Sequence, residues 1–219
     1  RVRDEGEGKL PPVVLIHGAT CSSVVWIDVL RRLAGRRRIV AIDLPGHGQS
    51  DPWHGVSVDL YRDAVGTVCA ELGIPRAVLV GHSMGGAIAL ACALAWPERI
   101  AWLGLVGTAA EFRPLPAIFD TIENDFGRLP EWFGLVSYSP ATPRDVVERW
   151  TAVLVQAPQE VCLADFRALD GWSLRARLGE IRAPSLVICG ADDALTTPLR
   201  SHDLAAGIAG ARAVIVPRA

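Results

Sequence analysis

The chain lacks the positive surplus that gripping a phosphate backbone requires. Its 22 basic residues stand against 24 acidic ones, a formal charge of −2 over 219 residues, so no nucleic-acid partner is expected. Its most basic run, Arg31, Arg32, Arg36, Arg37 and Arg38, falls at a predicted helix end and reads as capping and solvating it. No apolar run approaches the ~20 residues of a membrane span. The longest, Ala87 to Trp96, stops at Pro97 and Glu98, and no membrane partner is expected. Cysteine is sparse and unpatterned: Cys21, Cys69, Cys92, Cys162 and Cys189 are odd in number, show no C-x-x-C spacing, and share no metal-ligand spacing with the five histidines. They are expected to be reduced, buried thiols of a cytoplasmic protein, with neither a metal nor an organic cofactor. No signal peptide, repeat, low-complexity tract or linker is visible. What remains is a half-hydrophobic chain with 21% charged residues, the composition of one well-packed domain.

Short runs that are apolar throughout recur with helix-length segments between them. Val13–Ile16, Ile39–Ile42, Ala77–Val80, Ile100–Val106, Leu186–Cys189 and Ala213–Val216 predict parallel strands covered on both faces. Helices are predicted at Val24–Leu33, Val58–Leu72, Met84–Ala95 and Pro198–Ala206. In the second of these, Leu60, Val65 and Val68 are expected on the face against the sheet, with Asp59, Asp63 and Glu71 outward. Residues 111–180 break the rhythm. They are rich in proline and aromatics and have helical periodicity, which predicts a helical cap inserted into a core made of 1–110 and 181–219. Most of its aromatics are expected to form its own core, and a few to line a pocket at the carboxyl ends of the strands.

The strongest local signal is Ala77-Val-Leu-Val-Gly81-His82-Ser83-Met84-Gly85-Gly86. Gly81 and Gly85 flank Ser83 in a G-x-S-x-G arrangement between a strand and a helix. A serine on so sharp a turn needs neighbours without a β-carbon, and its Oγ then projects above the sheet. The Met84 amide, at the helix N-terminus, is placed to stabilise an oxyanion. The bland alternative is a small-residue packing turn. A second strand ends in His17-Gly18-Ala19; Gly18 lets the chain turn so that the Ala19 amide faces the serine as a second donor. His17 reads as a hydrogen-bonding strut. In the loop Asp43-Leu-Pro45-Gly46-His47-Gly48-Gln49-Ser50-Asp51, both aspartates are expected to satisfy loop amides and His47 to be structural. Asp51 stands where a dinucleotide fingerprint would need its third glycine.

These segments, with Gly190-Ala-Asp192-Asp193, resemble the α/β-hydrolase superfamily in order and over nearly the whole chain, the small carboxylesterases and lactonases above all. The resemblance implies an α/β-hydrolase fold, a mostly parallel sheet flanked by helices. It implies Ser83 as nucleophile and an acid at the end of the strand Leu186–Cys189, where its G-x-x-D spacing selects Asp193 over Asp192. On the residues alone, either aspartate could instead cap the helix near Pro198.

The general base that the resemblance implies is a histidine after the last strand, whereas this chain runs to Val216-Pro-Arg-Ala219. His202 comes too early, His82 is expected to point away from its neighbour Ser83, and His54 sits in a polar loop. No histidine of the sequence is therefore expected to complete a triad, and residues 1–8 read as the tail of a hairpin whose first strand is missing, as in a fragment. The function expected is hydrolysis of a small-molecule carboxylic ester or lactone through an acyl-enzyme on Ser83. The competing reading is a catalytically incomplete protein of the same fold that binds a small ligand or partner, and lyase or haloperoxidase-like chemistry stays open.

Overall fold

The structure, a computed structural model, describes residues 1–33, 35–52 and 55–219. Its centre is a seven-stranded sheet: β1 (Val2–Glu5), β2 (Val13–Ile16), β3 (Ile39–Ile42), β4 (Ala77–His82), β5 (Ile100–Val106), β6 (Ser185–Gly190) and β7 (Arg212–Val216). The spatial order is β1-β3-β2-β4-β5-β6-β7. Six strands run parallel, and β1 joins β3 antiparallel with Val2 opposite Ile42. All residues of β2 and β3 are buried, as a strand covered on both faces requires. After β2 the chain steps to β3 on one side and then crosses to β4 on the other. The carboxyl ends of β2 and β4 thus form a switch point, where open sheets of this kind bind ligands.

On one face, Trp26 and Leu30 of the segment leading through α1 (Ile27–Leu33) pack on Val13, Leu15, Ile39 and Ala41. On the other lie α2 (Val58–Glu71), α3 (Met84–Ala95) and α8 (Pro198–Gly207). Helix α3 is buried on every side from Met84 to Ala93, which its Gly and Ala content allows. A β-carbon on Gly85 would lie 2.3 Å from the Ile16 carbonyl oxygen, and one on Gly86 2.5 Å from the Thr108 side chain. Between β5 and β6 the chain leaves the sheet for α4 (Pro116–Asn124), α5 (Leu129–Val136), α6 (Arg144–Leu154) and α7 (Gln159–Leu169). This excursion has an apolar centre of its own, built on Ile118, Ile122, Leu129, Ala157 and Cys162. Its two ends meet in a bridge between Glu111 and Ser173.

Several expectations need correction. Leu60 is 37% exposed and Tyr61 is the buried residue of that turn, because the α2 face is set by Val58, Tyr61 and Val65 at i, i+3 and i+7. The helix expected from Val24 begins as a 3-10 turn, Ser23–Trp26, capped by the Ser22 hydroxyl. Residues 2–5 form a paired strand. Arg38, expected merely to solvate a helix end, makes a two-pronged ion pair with Asp4 of that strand and donates to the Leu72 carbonyl at the end of α2.

Candidate active site

Ser83 is the junction between β4 and α3, with φ 52° and ψ −118°. Such a conformation is rare for a residue with a β-carbon and persists only where its surroundings enforce it. Here the Ser83 amide donates to Val106 O at 3.0 Å, and Ser83 O accepts from the Gly86 amide at 2.8 Å and Thr108 Oγ1 at 2.8 Å. Gly81 allows the turn to close, since a β-carbon there would lie 2.1 Å from Gly85 O. With its backbone so fixed, Ser83 presents Oγ to a cavity of about 400 Å³, where no described residue hydrogen-bonds to it.

Around that cavity stand Gly18, Ala19 and Thr20 from the end of β2, His82 and Ser83 from β4, Gly107 after β5, and Asp193 after β6. Much of its remaining wall is apolar and comes from the excursion, including Phe112, Trp132, Phe133 and Phe166, while Leu195, Thr196 and Thr197 complete it and Arg113 and Arg200 border it. Met84 opens α3 and is fully buried. No hydrogen bond from the Ala19 or Met84 amide to another described residue is present, so both donors of the expected oxyanion pair lack a protein acceptor. An orphan amide at a helix N-terminus carries partial positive charge toward whatever faces it.

The two aspartates separate cleanly. Asp193 lines the cavity, and its carboxylate accepts from the Leu195 amide (2.9 Å), the Thr196 amide (2.7 Å) and Thr196 Oγ1 (2.8 Å). Asp192 is exposed and accepts from Ser139 Oγ at 2.5 Å. Neither caps α8, whose first turn is capped by the Thr197 hydroxyl. The Asp192 amide donates to Ala219 O at 2.9 Å, so residue 219 stands beside this turn.

Of the histidines, His17 and His47 are fully buried and His202 is exposed on α8. His54 lies outside the described residues. His82, expected to point away, borders the same cavity as Ser83: a β-carbon on Gly107 would lie 3.6 Å from both His82 Nε2 and Asp193 Oδ2. Burial pushes His82 below the usual histidine range and Asp193 partly offsets it, so the ring is neutral near pH 7. No hydrogen bond joins it to Ser83 or Asp193. Asp43 accepts from the Ser23 and Gln49 amides, as expected of a loop anchor; Asp51 serves through its carbonyl, bonded to the Gly46 amide.

A model of the alpha/beta hydrolase family matches residues 13–219. The chain belongs to that family. Among curated relatives it is 33% identical to the 2-hydroxy-6-oxononadienedioate/2-hydroxy-6-oxononatrienedioate hydrolase of Klebsiella pneumoniae, over 95% of this chain and 80% of the relative. Among solved structures it resembles the enol-lactonase of Burkholderia xenovorans, with TM-score 0.89 and 28% identity over 99% of this chain and 87% of that one. A hydrolase of Pseudomonas aeruginosa gives TM-score 0.88 and 29% identity, over 98% of this chain and 84% of that one. The hydrolase-family chain thus carries a mostly parallel, helix-flanked sheet shared with these structures.

Two polar residues of the site escaped the sequence. Asp165 on α7 is fully buried; it accepts from the Thr20 amide at 3.0 Å and Tyr61 Oη at 2.6 Å and lies 2.8 Å from His47 Nε2. The available signal was a lone carboxylate on the apolar side of a predicted helix, together with a tyrosine at a core position. Among the described residues, no group of three or more His, Cys, Asp or Glu could hold a metal ion, and no helix is long and apolar enough to cross a membrane.

Proposed function

We propose that this hydrolase cleaves a carboxylic ester or lactone through an acyl-enzyme on Ser83. The observation that carries the reading is Ser83 itself, on a strained turn with its unpaired hydroxyl in a cavity also lined by Asp193 and Ala19. In the proposed step Ser83 Oγ attacks the carbonyl carbon, and the Ala19 and Met84 amides receive the charge that develops on the carbonyl oxygen. A base takes the hydroxyl proton and returns it to the leaving alcohol or enol oxygen; water then attacks the acyl carbon and frees the acid. Asp193 orients that base. Residues 111–180 serve as a cap over a core of 1–110 and 181–219, and their apolar wall admits an apolar acyl or alkyl group. The relatives' names, an enol-lactonase and a hydrolase of an oxo-dienedioate, support carbonyl-directed hydrolysis.

On the first reading the base beside Asp193 is supplied to the cavity, since no described histidine hydrogen-bonds to Ser83 or Asp193. A second reading gives the role to His82, the one described histidine in the cavity wall. Hydrolysis of p-nitrophenyl butyrate by residues 1–219, with and without added imidazole, separates them, with Ser83→Ala subtracting the solution reaction. Imidazole-dependent turnover that requires Ser83 supports the first reading. Efficient turnover without imidazole that is lost in His82→Ala assigns His82. If no Ser83-dependent turnover or Ser83 acylation is found with or without imidazole, the binding-only reading replaces catalysis.

A further inference from the structure

We propose that His47 and Asp165 form a buried ion pair that holds the Gly18–Thr20 loop, and with it the Ala19 amide, in place to receive an oxyanion. This rests on the reading of Ala19 as an oxyanion donor, and it makes both side chains positioning residues.

Protonation follows from what each atom faces. Asp165 Oδ2 receives Thr20 N–H and lies 2.8 Å from His47 Nε2, and Oδ1 receives the Tyr61 hydroxyl; with a donor already on each oxygen the group fits a carboxylate that leaves Nε2 to donate. His47 Nδ1 lies 3.0 Å from the Pro45 carbonyl oxygen, which only accepts. Both ring nitrogens of His47 therefore carry protons and the ring is a cation. His17, with its ring centroid 4.9 Å away, has the opposite state. Its Nδ1 donates to Gly18 O at 2.8 Å while Nε2 accepts from the Leu44 amide at 3.1 Å, so it is neutral.

The surroundings agree with this division. Burial draws His47 down, but the Asp165 bond and charge, the Pro45 carbonyl and the Asp43 charge outweigh it and set it above the usual histidine range. Burial and then the positive His47 drive His17 down to about 3. The charged and titratable groups facing the pair are Asp43 from the end of β3, His17 from the end of β2, Tyr61 from α2, and Cys162 and Cys21 beside Asp165. Burial pushes the phenol and both thiols up, so all three stay neutral.

The loop needs such a hold. Thr20 has φ 66°, a conformation that a β-branched residue resists. Besides the bond to Asp165, its Oγ1 donates to Leu154 O at 2.6 Å, and its carbonyl accepts from the Gln156 and Ala157 amides. Every one of these partners belongs to the excursion, while His47 and Tyr61 belong to the sheet layer. A carboxylate that touches no substrate thus ties the excursion to the residue next to Ala19.

Asp165→Asn is the discriminating change. It keeps the shape and removes the negative charge that holds the second ring proton on His47. Ring-15N NMR of residues 1–219 should show His47 doubly protonated at pH 7 and His17 neutral. In Asp165→Asn, His47 should lose a ring proton by pH 7 and the Ala19 and Thr20 amide resonances should move. On any ester the protein turns over, kcat should fall about 10- to 100-fold with KM little changed, and the alkaline limb of kcat should disappear. Tyr61→Phe, which removes one donor and no charge, should leave His47 protonated. A neutral His47 in the unmodified protein at pH 7, or an Ala19 amide that ignores the loss of the Asp165 charge, overturns the proposal. If the ring states and the Ala19 response appear while Ser83 proves inert, the brace stands and the catalytic reading alone falls.

Discussion

Gly18 and Ser83 meet across the switch point: a β-carbon on Gly18 would stand 3.2 Å from the Ser83 β-carbon. It would also lie 3.1 Å from His82 Nδ1. Gly18→Ala therefore pushes on the proposed nucleophile itself. We expect about 1–3 kcal/mol of lost stability by urea unfolding and reduced acylation of Ser83 by a fluorophosphonate. Unchanged acylation would show that the turn yields without moving the hydroxyl.

Glycines elsewhere calibrate that result. Gly85→Ala drives a β-carbon to 2.3 Å from the Ile16 carbonyl, backbone that cannot step aside, so this variant should not fold. Gly73→Ala meets nothing within 4 Å and carries only the strain of φ +62°, about 1 kcal/mol. Circular dichroism melts of the three should rank Gly73, Gly18 and Gly85 in order of increasing loss.

The aspartates should part in kinetics as they do in space. Where the base is in place, Asp193→Asn is expected to lower kcat by about 10⁴, as loss of a triad acid does. Asp192→Asn, which weakens only its bond to the buried Ser139 hydroxyl, should stay within about threefold. Equal losses would move the acid's role to the turn as a whole.

His17 fixes an acid limb of stability. Its folded pKa of about 3 lies below the usual 6.5, so below pH 6.5 the unfolded chain takes up a proton that the fold refuses. Stability from this group is whole above pH 6.5 and is lost as pH falls toward 3. Between pH 6.5 and 5, where most carboxylates remain charged, the loss is about 2 kcal/mol. His47 has the opposite sign, its contribution being complete below pH 6.5 and lost as pH rises through its elevated value. Urea midpoints of His17→Gln, which can keep one donor and one acceptor, should vary less with pH over that range than those of the unmodified protein.

Much of this was legible because the elements that carry it are dense in local signal. Helix α3 starts and stops where Met84 and Ala95 were expected, since a glycine-flanked serine before it and Pro97 after it leave little choice. The buried runs of β2, β3 and β5 likewise match their expected ends. Tertiary partners carry no such mark. Asp165 shares a helix face with Cys162 and Leu169, a pattern that hints at burial but not at Thr20, His47 and Tyr61 as its partners. His82 shares a cavity wall with Ser83 without bonding to it, and the divergence of neighbours on a tight turn says nothing of such a shared wall. Strand β1 went unrecognised as a pairing element because VRDE, with three of its four residues exposed, has the composition of a surface segment.

The excursion between Val106 and Ser185 has a consequence for how freely this molecule can change. β5 and β6 are neighbours in the sheet although nearly 80 residues separate them in the chain. Closure entropy grows only with the logarithm of loop length, so this detour costs about 2 kcal/mol more than a ten-residue connection. With its own apolar centre and its ends pinned together at Glu111 and Ser173, the inserted segment can lengthen, shorten or be exchanged while the sheet beneath keeps its register. Asp165 sets the boundary of that freedom: a replacement segment must bring back one buried carboxylate at the loop before it can inherit the chemistry.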